Sequence, residues 1–389
     1  MNFDFTDDQD AIRDAAQRFA RERLAPNYKA HDTQKTFSKE LIHEMGELGL
    51  IGTSLPVEVG GLGQDYVTEG IVMEELARED VNVGYILLLN TLNAGIFAEH
   101  GSREMAADVI PENCGGRKIS CLALTEPSAG SDAANIRLKA KRKGDVFVLN
   151  GEKTSISMAH QTDLGIVFAR TGTQEERAHG ITAFLVELEQ PRISRTTFED
   201  VGSGVVGRGS IFFDDVEVPA ANMVGDEGMG FKQVMAGFDF SRALIGLQCV
   251  GPAQASLDKA WSYSLERHAF GEPIAVNQGV TEPLAVAETQ LTAARLLCYN
   301  TLWLRDQGRP HTTEAAMCKW WPPQLAFETI HLCLQLHGHL GYSMDMPFQQ
   351  RLREVMGLHI GHGTKQIQKM VIARRKLAEA KARRQRTSL

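Results

Sequence analysis

Cysteine is scarce and unpatterned. The six residues (Cys114, Cys121, Cys249, Cys298, Cys318 and Cys333) in a chain of 389 show no CxxC spacing. This excludes a disulfide framework and the common zinc arrangements, and predicts reduced, mostly buried thiols in a cytoplasmic protein. A chain of this length buries roughly 75% of its unfolded surface, so its stability needs no cross-links. A basic excess is also missing: 41 Lys and Arg face 49 Asp and Glu, a net charge of −8, which argues against a nucleic-acid partner. No uninterrupted apolar run approaches the ~20 residues needed to cross a bilayer. The opening stretch Met1–Asp8 is acidic where a targeting leader would be basic. There is no GxSxG elbow and no P-loop, which removes the usual esterase and kinase readings. Repeats of 20–50 residues and low-complexity segments are absent as well.

What remains is an ordinary globular mixture, 43% hydrophobic and 23% charged, long enough for two or three subdomains. The first third reads as helix. Thr6 is an N-cap ahead of Asp7 and Asp8, with Ile12, Ala15, Ala16, Phe19 and Ala20 on one face. A second helix opens at Ser38, and another is built around Ile71–Leu76 after the break at Pro56 and Gly60–Gly63. Residues 83–97 are apolar and free of acids, which predicts a helix buried on most sides.

From residue 119 the texture changes to strand. Val146–Leu149 runs into Asn150-Gly151, read as a turn, and Lys143-Gly144-Asp145 makes the turn before it. Gly165–Ala169, Ile181–Leu188 and Ser210–Phe213 are further strands. Their short links predict antiparallel pairing. Helix returns from Gly230, through Val234–Leu247, Ala253–Leu265, Ala285–Leu304 and Ala315–Leu336. The boundaries expected are 1–118 for an N-terminal helical domain, 119–228 for a β domain and 229–389 for a C-terminal helical domain.

Several motifs have dull explanations. Gly202-Ser203-Gly204-Val205-Val206-Gly207 has the GxGxxG form, but the polar Thr197–Asp200 precedes it and a strand follows. A dinucleotide fingerprint needs a strand before and a helix after, so this is a loop between strands. His359 and His362 share a helical spacing, yet Gly361 and Gly363 flank the second and weaken a metal reading. The basic tail from Arg374 to Arg386 contains Glu379 and reads as a solvated helix end. The loop Leu124–Asp132 is richer in glycine, hydroxyls and proline, and can bring backbone N–H groups against a polar ligand or simply form a capped surface turn.

Taken together with later segments, that loop resembles the acyl-CoA dehydrogenase family. Thr125–Asp132 matches its TEPxAGSD loop. Asn150-Gly151-Glu152-Lys153, Phe213–Pro219 (FDDVEVP), Phe238–Arg242 (FDFSR), Glu266–Gly271 with Gln278, and Gly363–Ile367 (GTKQI) match further family elements in order along essentially the whole chain. The resemblance implies an α+β fold with an N-terminal helical domain, a central antiparallel β domain and a C-terminal four-helix bundle. It implies FAD as cofactor, an acyl-CoA thioester as substrate, electron-transferring flavoprotein as acceptor, and a homotetramer. By the same resemblance Leu122, Leu124, Thr125, Ser131, Ser155 and Ser157 line the flavin. Arg267, Phe270 and Gln278 reach the FAD of a neighbouring subunit, joined by Gln335, Gly338 and His339, with Thr364 and Gln366 at its adenosine-phosphate end. Ser131, Phe238, Asp239 and Arg242 line the thioester channel.

The pattern breaks at the base. Most members carry a glutamate where this chain has His362, and others carry one where it has Ser241. Three readings follow: His362 is the base, a carboxylate from elsewhere serves, or the chain keeps a non-redox lyase or binding role. Ser155 also replaces the aromatic usual at the flavin wall, and Gly357–Gly361 is lean in side chains. These openings imply a bulky or cyclic acyl group. Gly237–Leu247 and Ala315–Trp321 resemble the cyclohexanecarboxyl-CoA subgroup.

Overall fold

The computed structural model describes residues 4–387. Its N-terminal helices are α1 (Asp7–Phe19), α2 (Tyr28–His31), α3 (Lys39–Glu47), α4 (Tyr66–Glu79), α5 (Val83–His100) and α6 (Arg103–Cys114). Thr6 and Gln9 form a reciprocal capping box at α1, and the Ser38 hydroxyl accepts from the Leu41 amide at α3. α5 is buried along most of Val83–Phe97, as the lack of acids over those residues predicts.

The middle of the chain forms β1 (Ser120–Ala123), β2 (Lys139–Lys143), β3 (Val146–Ile156), β4 (Leu164–Arg170), β5 (Ile181–Glu187), β6 (Ile193–Arg195), β7 (Gly209–Pro219) and β8 (Met223–Val224). The order is β6-β7-β3-β2-β4-β5-β8, with β1 joined to β4. β4 is buried throughout because both faces are covered. Ile166 and Phe168 pack into a core with α5 and α6, while Val167 and Ala169 face a core containing Phe147 and Phe184.

Two expectations are corrected here. The sheet is not wholly antiparallel: β1 runs parallel to β4, and β2 meets β4 in parallel at Lys139 and Arg170. The β2–β3 hairpin lies within the connection from β1 to β4, which gives the long crossover that parallel pairing requires. Nor is Asn150-Gly151 a turn. β3 runs straight through it, and the register with β7 shifts between Leu149 and Gly151. The bulged partner is Asp215, at φ 51°. Its amide donates to Asn150 Oδ1 (3.0 Å), and Asn150 Nδ2 donates to its carboxylate (2.9 Å). A local side-chain bond has thus converted a hairpin signal into a β-bulge.

The C-terminal helices are α7 (Gly230–Glu266), α8 (Gln278–Asp306), α9 (Thr312–Leu336), α10 (His339–Tyr342), α11 (Phe348–Gly357) and α12 (Lys365–Thr387), with a small hairpin of β9 (His268–Ala269) and β10 (Glu272–Pro273) after α7. α7 is one helix of 37 residues that continues through Pro252. Cys249, Val250 and Ala253 around the proline have no exposed surface, so packing on both sides overrides its breaking tendency. All six cysteines are buried and unpaired.

α11 is tied to the N-terminal helices by a buried carboxyl group. Glu354 accepts from Tyr28 Oη (2.5 Å), Asn82 Nδ2 (2.8 Å) and Gln350 Nε2 (3.0 Å). Burial, followed by the neighbouring Asp80 charge, pushes its pKa up to about 7. A folded pKa above the unfolded value contributes stability that is fully present below about 4.5. That contribution is lost as pH rises through about 7. Chemical unfolding of the wild type and Glu354→Gln at pH 5 and pH 8 checks this: the stability difference between the two proteins shifts in favour of the variant at the higher pH.

Candidate active site

The loop after β1 is fixed from beneath by a buried ion pair. Lys153 Nζ donates to Glu126 Oε1 (2.8 Å) and to the Leu124 carbonyl (2.9 Å), and neither side chain has more than 4% of its surface exposed. Glu126 also accepts from the amides of Arg137 (2.6 Å) and Leu138 (2.9 Å). Burial pushes Lys153 down to about 8, opposed by the Glu126 charge. A second register shift falls between Lys153 and Ile156, with Ser155 at φ 55°. The bulge re-aims this stretch of β3 so that Ser155 and Ser157 face a cavity.

The opposite wall is the segment after α11. Lys319 Nζ donates to the Leu358 carbonyl (2.5 Å), His359 Nε2 lies 2.8 Å from Pro323 O, and Gln368 Nε2 donates to His362 O (3.0 Å). His362 is at φ 53° and Gly363 at φ 94°, a reversal that precedes α12. The His362 ring sits 4.6 Å from the Phe238 ring, with Nδ1 3.0 Å from Ser241 Oγ. Ser241 Oγ in turn donates to the Phe238 carbonyl (3.4 Å). The packed surroundings, then the charges of Lys319 and Arg242, push His362 down to about 3.

Between these walls lies a cavity of about 360 Å³. It gathers Leu122, Leu124, Thr125, Ser131, Ser155 and Ser157 from the β domain with Phe238, His362 and Thr364 from the helical domain. No aspartate or glutamate is among the described residues that line it. Asp239 and Arg242 do not line it; they pair with each other at 2.7 Å, and Thr312 Oγ1 donates to Asp239 (2.6 Å). Arg267, Phe270, Gln278, Gln335, Gly338, His339 and Gln366 lie outside it on exposed surface. Phe270 stands out fully at the β9–β10 hairpin, 105% exposed with φ 55°.

Three family models cover the chain: the acyl-CoA dehydrogenase N-terminal domain at residues 6–117, the middle domain at 121–216 and the C-terminal domain at 228–377. Rat mitochondrial short-chain specific acyl-CoA dehydrogenase is 35% identical, over 93% of this chain and 88% of its own. The chain belongs to the acyl-CoA dehydrogenase family. The butyryl-CoA dehydrogenase of Megasphaera elsdenii superposes with a TM-score of 0.94 at 32% identity, covering 97% of this chain and 100% of that one. A chain from a structure concerning the electron transferring flavoprotein of Acidaminococcus fermentans gives the same score at 34% identity and the same coverage. The fold is the three-part acyl-CoA dehydrogenase fold, and the family's chemistry is FAD-dependent dehydrogenation of acyl-CoA. This family assignment favours oxidation over the non-redox reading.

The cavity fits a flavin. A planar ring system needs apolar faces and hydrogen-bond partners at its edge. Leu122 and Leu124 supply the first, Thr125, Ser131, Ser155 and Ser157 the second, and no lining carboxylate opposes an anionic cofactor. Sequence reasoning missed Tyr85 and Arg208 on the lining, and Lys319 behind it. The signal for Lys319 was a lone cation within the apolar AAMCKWW tract; for Arg208 it was an arginine set between Gly207 and Gly209.

The Lys153–Glu126 pair holds the wall carrying Leu124 and Thr125. Lys153→Met leaves a buried carboxylate without its counter-charge, at a cost of about 3–5 kcal/mol. Urea unfolding is expected to show that loss, and the purified variant to carry less FAD per chain than the wild type.

Proposed function

We propose that this acyl-CoA dehydrogenase oxidises the α,β bond of a thioester with a cyclic acyl group, such as cyclohexanecarboxyl-CoA, using His362 as base. The observation that carries this reading is the composition of the cavity wall. With no carboxylate on the lining, His362 is the imidazole there that stands unprotonated at neutral pH and so is available as the base. The reading in which a carboxylate from elsewhere serves finds no support among the described lining residues.

The proposal assigns a tautomer. With the Ser241 hydroxyl donating to the Phe238 carbonyl, His362 Nδ1–H is assigned as the donor to Ser241 Oγ. Nε2 is then the unprotonated nitrogen. His362 Nε2 takes the α-proton, and the electron pair of that C–H bond becomes the new α,β π bond as the β-hydrogen leaves with its own pair. FAD, when bound, supplies the hydride acceptor. Phe238 packs against the imidazole with the rings tilted by 38°, and Arg242, over the Phe238 ring and paired with Asp239, contributes positive charge toward the developing thioester anion.

The small residues Ser155, Gly357 and Gly361 on the lining support an acyl group broader than a straight chain. A homotetramer is part of the proposal. Arg267, Phe270 and Gln278, with Gln335, Gly338, His339 and Gln366, are exposed in one chain and are assigned to a neighbour's FAD. Thr364, assigned with Gln366 to the adenosine-phosphate end of that FAD, lines the cavity of its own chain. Electron-transferring flavoprotein is the proposed acceptor, and the cytoplasm the proposed compartment.

His362→Ala is expected to abolish bleaching of the oxidised flavin band by cyclohexanecarboxyl-CoA under anaerobic conditions while FAD stays bound. Full-rate bleaching in that variant contradicts the assignment. Ser241→Ala frees the tautomer and is expected to slow bleaching by roughly 10- to 100-fold, the scale of a general-base contribution partly lost.

A further inference from the structure

Arg208 is a charged side chain on the lining of an otherwise uncharged cavity. Asp200 Oδ2 lies 3.2 Å from its Nε, and the two side chains are 20% and 29% exposed. Among the described residues its Nε makes no aligned hydrogen bond, and no hydrogen bond is formed by its terminal nitrogens. A guanidinium presents its strongest recognition edge through those terminal N–H groups, in a fork that matches a carboxylate. Here that edge is left for something else.

A second donor converges on the same place. Tyr85, on α5, is 7% exposed and lines the cavity. Burial raises the pKa of its phenol, opposed by the Arg208 charge, so it remains a neutral O–H donor at working pH. Arg208 Nη2 and Tyr85 Oη lie 3.6 and 3.7 Å from the point where a β-carbon on residue 357 would sit. Because that residue is glycine, it places no side chain against the two donors. Leu88 and Leu89, one helical turn from Tyr85, continue the wall with apolar surface, as does Ile245 on α7.

We propose that Arg208 and Tyr85 bind a second carboxylate on the acyl group, so that the substrate is the CoA monothioester of a dicarboxylic acid. The apolar side chains beside them take the hydrocarbon between the two carboxyl carbons. This rests on the acyl-CoA reading of the cavity and narrows it: the ring or branch accommodated by the small residues carries a charge, and cyclohexanecarboxyl-CoA is then a weaker-binding substrate than its carboxylated counterpart. An uncharged acyl group would leave the terminal N–H edge of the guanidinium without a partner, which disfavours it.

The test uses FAD-loaded full-length enzyme and four probes: cyclohexanecarboxyl-CoA and the monothioesters of cyclohexane-1,2-, 1,3- and 1,4-dicarboxylic acid. Each is measured for perturbation of the visible flavin spectrum, which reports binding, and separately for bleaching, which reports oxidation. At least one dicarboxylic monothioester is expected to bind about 10- to 100-fold more tightly than the uncharged probe. Arg208→Met is expected to erase that preference with FAD content unchanged, and Tyr85→Phe to reduce it several-fold. The proposal is overturned if the uncharged thioester binds as well as all three charged probes. It is equally overturned if Arg208→Met shifts the flavin spectrum or potential while leaving the preference intact, which would give the guanidinium to the cofactor. Charged-probe preference without bleaching would leave this inference standing and contradict the oxidative reading instead.

Discussion

The active-site wall depends on one buried cation. Lys319, 1% exposed in α9, has its Nζ 2.5 Å from the carbonyl of Leu358, immediately after α11 ends. Carbonyls at a helix C-terminus lack intrahelical partners and carry partial negative charge, so an ammonium there satisfies both itself and the helix end. Burial pushes Lys319 down to about 8, leaving it largely charged at neutral pH. That contact places the segment leading to His362, and the same charge helps push the imidazole down to about 3. Lys319 therefore fixes the position of this segment and adds to a protonation state set first by burial.

This arrangement makes sense of a neutral base. A carboxylate at residue 362 would be drawn into ion pairing with Lys319 and Arg242, absorbing their field. A neutral imidazole leaves the Lys319 charge without a carboxylate partner at this position, while Arg242 keeps its own pairing with Asp239. Their field then acts on the negative charge that develops on a thioester as its α-proton is removed, in surroundings where low dielectric strengthens it. On the facing wall, the Lys153–Glu126 pair plays the matching structural part, anchoring the hydroxyl-bearing loop without placing charge on the cavity surface.

The fold was legible where periodicity and capping agreed. Thr6 and Ser38 start helices where their spacing places them, and the acid-free stretch from Val83 is buried. Legibility failed where a tertiary partner decided the local outcome. Asn150-Gly151 carries a strong hairpin signal, but Asp215 on another strand turns it into a bulge. The tracts Val234–Leu247 and Ala253–Leu265 are read separately in the sequence, but buried neighbours on both sides of Pro252 join them in one helix, α7. At the site, His362 and the hydroxyl residues could be named from motif resemblance. Their convergence could not, because it requires a β-domain bulge and a helix-terminal segment more than 200 residues later to meet. Lys319, Tyr85 and Arg208 stayed hidden because their meaning lies in what they face.

The central claim is that burial, reinforced by the charges of Lys319 and Arg242, keeps His362 neutral, with its proton on Nδ1. The most direct measurement is ¹⁵N NMR of histidine-labelled protein titrated from pH 4.5 to 8, with His362→Ala identifying the resonances. The account predicts one fixed neutral tautomer across the whole range, Nδ1 protonated and Nε2 bare. A transition to imidazolium near the ordinary histidine value, about 6.5, would contradict it.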